Sequence, residues 1–125
     1  MVITRNAYDE LENEAKKHYP CEACGMLLGN TDGDIITEIK TIKNSVEADR
    51  ADKHFFMDPP AVYEAEKEAK EKGLEVLGFY HTHPDHEAVL SKKDKEYMIP
   101  GVLYMVVSVT DKGCRDVRLY KNEPE

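Results

Sequence analysis

Apolar residues recur along this chain with two different periods, and the changes between them mark out its elements. Over residues 4–19, Ala7, Leu11 and Ala15 return every four positions, with Tyr8 and Tyr19 beside them and Glu and Lys elsewhere. That spacing stacks one apolar stripe on an α-helix. Thr4 can cap it, and Tyr19-Pro20 ends it, because the residue before a proline is pushed out of the helical region. Cys24 to Leu28 is a short apolar run closed by Gly29-Asn30 and predicts a strand. Thr31-Asp32-Gly33-Asp34 carries turn chemistry, and the β-branched, largely alternating stretch from Ile35 to Ile42 predicts the partner strand of a hairpin. Asn44 to Lys53 is polar and aperiodic and reads as a loop. His54 to Met57 reads as a short strand. Asp58-Pro59 then opens a second helix, with Asp as cap and Pro at the first helical position. Val62, Ala65 and Ala69 form its inner face, and Gly73 stops it.

Leu74 to His81 predicts a third major strand. Val102 to Thr110 predicts another, too apolar to lie on an exposed edge. Asp111-Lys112-Gly113 is a turn, and Cys114 to Tyr120 alternates as a final hairpin partner. Between these strands, Ser91 to Met98 reads as a short helix ended by Pro100-Gly101. No repeat, low-complexity tract or linker interrupts the chain. The expected fold is α+β: a single domain over residues 1–125, with a curved, mostly antiparallel sheet flanked by two main helices and a short third one.

Composition narrows the function classes. The 125 residues are 41% apolar and 34% charged, which suits a globular domain with a modest core. A net charge of -8 would repel a phosphate backbone, so no nucleic-acid partner is expected. No apolar run approaches the roughly 20 residues needed to span a membrane, and Met1 to Arg5 shows no signal-peptide pattern, so a cytoplasmic location is expected. Three cysteines (Cys21, Cys24 and Cys114) make an odd count, which argues against a secreted disulfide framework. Oligomeric state is not legible.

The chemistry concentrates in Phe79-Tyr80-His81-Thr82-His83-Pro84-Asp85-His86 and the following Ser91-Lys92-Lys93-Asp94. Residues two apart on a strand face the same side, so His81 and His83 converge, whereas on a helix they would diverge by about 160°. Pro84 ends the strand and places the pair at its rim. His-x-His also occurs as incidental surface polarity. Asp94 follows after enough chain to leave the strand, turn, and enter a helix whose first turn faces back, which would complete a three-ligand set such as catalytic zinc uses. Ser91-x-x-Asp94 equally fits a helix capping box, and the two readings are compatible. A hydrolytic site also needs a general base. Asp85, Glu87 and Glu22 are candidates. Glu22 leads directly into an apolar strand, although a solvated loop glutamate is its plainer reading. Cys21-x-x-Cys24 could be half a zinc knuckle or a redox pair, but three cysteines cannot make a four-cysteine site, and Cys24 reads better as a small core residue.

Taken together, Glu22, His81-Thr82-His83-Pro84, Ser91 and Asp94 resemble the JAMM (MPN+) metalloprotease pattern, at matching spacing and over nearly the whole chain. Asp58-Pro59 and the Gly78-Phe79-Tyr80 lead into the histidines fit it as well. The resemblance implies a JAMM/MPN-like fold with cytidine-deaminase-like layering. It implies one Zn²⁺ per chain held by His81, His83 and Asp94, Glu22 as general base and acid, and Ser91 helping to stabilise the tetrahedral oxyanion. The implied reaction is hydrolysis of a peptide or isopeptide bond. Pro84-Asp85-His86 is similar to compact prokaryotic members that process ubiquitin-like or sulfur-carrier proteins at the C-terminal Gly-Gly, and the long insertions of eukaryotic deubiquitinating members are absent. Glu87-Ala88-Val89-Leu90 departs from the Pro-rich stretch usual in the family. Asn44–Lys53 is a candidate wall of the substrate groove. Two other functions remain open: a zinc amidohydrolase acting on a small molecule, and a non-catalytic MPN-type interaction module.

Overall fold

The computed structural model describes residues 2–30, 32, 35–46, 51, 55–96, 98–99 and 101–121. Helix α1 (Arg5–His18) begins where the sequence predicts, with the Thr4 hydroxyl accepting from the Ala7 amide at 3.2 Å, and it closes with Tyr19 N–H on the Ala15 carbonyl. Its stripe of Ala7, Leu11 and Ala15 is buried. Before it lies a two-residue strand, β1 (Val2–Ile3), too short to leave a periodic signal. Strands β2 (Cys24–Asn30) and β3 (Ile35–Ile42) form the expected antiparallel hairpin. Of the turn between them only Asp32 is described, its amide bonded to the Asn30 side chain at 2.8 Å.

Helix α2 (Pro59–Glu71) starts at Asp58 as expected, but Asp58 makes no side-chain cap bond. Pro59 and Pro60 have no N–H to offer, so the first turn has fewer donors to satisfy. Ala65 and Ala69 are buried and Val62 half-buried, and Gly73, at φ +73°, follows the helix end in the left-handed region that favours glycine. The expected strand at His54–Met57 is replaced by an isolated bridge between Asn44 and Met57, and His54 lies outside the described residues. There the Asn44 carboxamide accepts from the Val46 and Phe56 amides, and the Ser45 amide donates to the Phe56 carbonyl at 2.8 Å, so a side chain and a single bridge stand in place of a longer ladder.

Strand β4 (Glu75–Pro84) runs on through Pro84, past the predicted end, followed by α3 (Lys92–Glu96), β5 (Leu103–Thr110) and β6 (Gly113–Lys121). The sheet order is β1-β3-β2-β4-β5-β6. The β3/β2, β2/β4 and β5/β6 seams are antiparallel, and the β1/β3 and β4/β5 seams are parallel. The sheet is therefore mixed, with antiparallel seams in the majority. A parallel seam requires a crossover, and the one from β4 to β5 carries residues 85–102 and α3.

Alternation along the strands divides the core. Leu27, Ile36, Ile39, Tyr80, Met105, Val107 and Val109 face α1, while Met26, Leu28 and Ile42 face α2. Val106, on the α2 side, is covered by Ala88 and Leu90 of the crossover. His81 and His83 alternate with Tyr80 and Thr82, so they open onto that same crossover side. No described helix is long and apolar enough to cross a membrane.

Candidate metal centre

The two histidines converge as strand geometry requires. Their Nε2 atoms lie 3.0 Å apart, and the Oδ2 of Asp94 stands 3.2 Å from that of His81 and 3.3 Å from that of His83. A tetrahedral metal with bonds of about 2.0–2.1 Å separates its ligands by about 3.3–3.4 Å, so this triangle has nearly the edge length that such an ion needs. Asp94 reaches its corner from the first turn of α3. The Ser91 amide donates to Asp94 Oδ2 at 2.9 Å, and the Asp94 amide donates to Ser91 Oγ at 3.0 Å. This is a reciprocal capping box, and it aims the carboxylate at the histidines.

The loop between strand and helix is tied down residue by residue. Its carbonyls at His86, Glu87 and Ala88 accept, in turn, from the Ser108 hydroxyl, from His83 Nδ1 at 3.1 Å, and from the Tyr120 hydroxyl at 2.7 Å. The bond to Glu87 decides a tautomer. A carbonyl only accepts, so Nδ1 carries the proton and Nε2 presents its lone pair to the centre. Phe55 stacks on the other imidazole, with ring centroids 4.6 Å from those of His81.

Burial lowers the basicity of His81 more than its bond to Asp94 restores it. His83 is pulled down by its own burial, yet the bonds to Asp94 and the Glu87 carbonyl, with the nearby charges of Asp94 and Glu22, leave it raised. Burial pushes Asp94 upward, but its close contacts with the two imidazoles and the hydrogen bond from the Ser91 amide hold it well below the usual carboxylate range. The donors thus face inward with one firmly anionic oxygen among them, an arrangement that attracts a cation.

Glu22 is not a solvated loop residue: it is 5% exposed. Pairing of Cys24 with His81 brings the start of β2 alongside the histidines. Beyond that pair, the Thr82 amide donates to the Ala23 carbonyl at 2.9 Å, and the Ala23 amide donates to the Thr82 hydroxyl at 2.8 Å. The Glu22 amide donates to the Ala51 carbonyl, and its carbonyl accepts from the Asn44 carboxamide. One oxygen of Glu22 and a nitrogen from each of His81 and His83 lie within 4.8 Å of one another, a group able to hold a metal. Asp94 closes a triangle with the two histidines, and Glu22 stands beside it within that span.

The other base candidates are placed elsewhere. Asp85 is bonded through its carboxylate to the Tyr19 hydroxyl, and Glu87 contributes a backbone carbonyl. Cys24 is buried, its thiol donates to the Ile42 carbonyl, and burial first, with the Glu22 charge second, pushes it up to about 12. All three cysteines are free, and Cys24 is the core residue that its apolar setting predicts. Sequence reasoning missed Phe55, Thr82 and Asn44, whose roles depend on partners far along the chain. The segment expected to form a groove wall is described only at Asn44–Val46 and Ala51, and there it buttresses Glu22.

Residues 4–120 match the family of prokaryotic homologs of the JAB domain. A protein named desampylase from Haloferax volcanii is 30% identical over 90 residues, covering 71% of this chain and 63% of that one. Another desampylase, from Pyrococcus furiosus, is 32% identical over 93 residues, covering 74% and 61%. The chain thus matches less than two thirds of the length of either relative. A solution structure of a protein from Desulfitobacterium hafniense superposes with a TM-score of 0.76 at 26% identity, over 96% of this chain and 89% of that one. One from Salinibacter ruber does so at 0.70 and 34%, over 97% and 81%. A JAB1/MPN domain protein from Archaeoglobus fulgidus, 18% identical, shares the fold at 0.62 over 98% and 93%.

Proposed function

The chain belongs to the prokaryotic JAB family, and from that footing we propose that it is a zinc-dependent hydrolase. Its target is a peptide or isopeptide bond at the C-terminal Gly-Gly region of a ubiquitin-like or sulfur-carrier protein. The observation that carries this reading is the convergence of His81 Nε2, His83 Nε2 and Asp94 Oδ2 at tetrahedral spacing with a buried glutamate beside them. The desampylase name borne by two relatives supports an isopeptide bond to a ubiquitin-like modifier.

Bound by those three residues, zinc would supply Lewis acidity and make water a competent nucleophile near neutral pH. The residues of the chain do the rest. Glu22 would take the proton from the attacking water and hand it to the leaving amine, a role that its burial beside the histidines suits. Ser91 would donate its hydroxyl proton to the developing oxyanion, its oxygen being held by the Asp94 amide. The Glu87 carbonyl keeps His83 in the ligating tautomer.

Zinc content and cleavage of a ubiquitin-like protein fused through Gly-Gly to a reporter test this together. Wild type and Glu22→Ala should each hold about one zinc per chain and His83→Ala none, with cleavage by wild type alone. A Glu22→Ala variant with full activity would remove Glu22 from the mechanism. Zinc-loaded wild type that hydrolyses small amides but leaves every Gly-Gly fusion intact would replace the protein substrate with a small molecule.

A further inference from the structure

The segment that delivers Glu22 and the loop that follows His83 are joined by one side-chain bridge. The Tyr19 hydroxyl reaches both oxygens of Asp85, at 3.0 and 2.8 Å. Tyr19 is the C-cap of α1 and stands three residues before Glu22, and the turn between them is closed by the Cys21 amide on the His18 carbonyl. Asp85 stands two residues after His83, and its amide is fixed to the Val109 carbonyl at 2.7 Å.

Asp85 is also the only non-glycine residue with positive φ (59°) among the described residues. Two demands meet at this position. The backbone needs a residue that tolerates the left-handed region, and Tyr19 needs an acceptor. Glycine meets only the first. Most other residues pay a steric penalty there, whereas Asp and Asn tolerate it and can accept.

We propose that Tyr19 and Asp85 are positioning residues that hold Glu22 in register with the metal ligands. This rests on the reading of Glu22 as general base. Each side has its own anchors, Ser108, Tyr120 and Val109 for the ligand loop and Asn44, Ala51 and Thr82 for the Glu22 segment, so the bridge is what ties the position of one to the other. Positioning within a fraction of an ångström matters for proton transfer, so loss of the bridge lowers turnover without touching the chemistry of the groups involved. The hydrogen bond to Asp85 keeps the proton on the Tyr19 hydroxyl to higher pH than usual.

The test uses Tyr19→Phe, Asp85→Gly, Asp85→Asn and the double variant Tyr19→Phe/Asp85→Gly, in the full chain. Tyr19→Phe and Asp85→Gly should each lower kcat about tenfold, with KM and zinc content unchanged. The double variant should lose no more than either alone, because both remove one interaction. Asp85→Asn, which keeps the backbone tolerance and an acceptor, should return kcat to near the wild-type value. In the metal-free protein, the Glu22 amide should exchange with solvent about tenfold faster in Tyr19→Phe, while the Asp85 amide is unchanged. Unaltered exchange at Glu22 would overturn the proposal, and so would additive losses or a lower melting temperature with wild-type kcat. Wild type without zinc or without cleavage would instead overturn the reading beneath it, and the exchange experiment separates the two because it needs neither metal nor substrate.

Discussion

The two halves of the centre are built by opposite means. His81, His83 and Asp94 lie within one short stretch, and its connecting loop is pinned carbonyl by carbonyl. Glu22 lies far upstream and is held by Asn44 and Ala51 from one segment and by the Ala23–Thr82 pair from another. In the proposed ligand half, a strand and a capping box aim the donors inward. The base half depends on the β2/β4 register. Metal retention and turnover should therefore be separable by mutation.

The largest effect is expected from Asp94→Ala, which strikes the ligand corner and the start of α3 together. Zinc and hydrolysis should both be lost, and the metal-free protein should be about 1 kcal/mol less stable in urea titrations because a cap is gone. A variant that loses the cap energy but keeps zinc would make Asp94 a capping residue only. Glu22→Gln should lower kcat by about a thousandfold at unchanged zinc content, read by metal analysis beside steady-state kinetics. Zinc loss on that substitution would erase the distinction between the halves.

Thr82→Val should cost about 1–3 kcal/mol, because the buried Ala23 amide loses its acceptor. It should lower kcat more than zinc affinity, since Ala23 adjoins Glu22. Equal losses in both would mean that the register serves the ligands as well.

The last effect leaves activity near neutral pH untouched and is confined to a slope at alkaline pH. Cys24, at the start of β2, keeps its proton in the folded protein up to about 12, whereas the unfolded thiol ionises near its ordinary value of 9.0. The folded state therefore holds more protons in that window. Stability should be full below pH 9.0 and fall by about 1.4 kcal/mol per pH unit as pH rises toward 12. Buried Tyr80, also raised by desolvation, acts in the same direction. Urea midpoints from pH 8 upward should show the fall, and Cys24→Ala should flatten it. An unchanged slope in that variant would remove Cys24 from the alkaline response.

Much of the architecture is readable locally. Helix α1 shows its stripe and its Thr4 cap within one window, and α2 shows its Asp-Pro start and closing glycine. The apolar run of β5 correctly denies it an edge. The short β1 carries no periodic signal, and the parallel β4/β5 seam needs knowledge of where the crossover returns. Residues His54–Met57 have strand composition, yet Phe56 and Met57 meet only a short bridge at Asn44 and Ser45 that includes the Asn44 side chain, which no propensity encodes.

By itself, the sequence determined that two imidazoles share one face of a strand and that a helix begins at Ser91 with Asp94 in its first turn. Both follow from local backbone period and capping, which act over a few residues. Only the tertiary structure decided that Asp94 closes the triangle, that Glu22 is buried beside it, and that Tyr19 reaches Asp85. Those contacts range from 13 residues apart for His81 and Asp94 to 66 for Tyr19 and Asp85, and their geometry is set by strand register and by which face each helix covers. An acidic residue before an apolar strand reads the same whether it ends in water or buried beside two histidines, and packing alone separates the two.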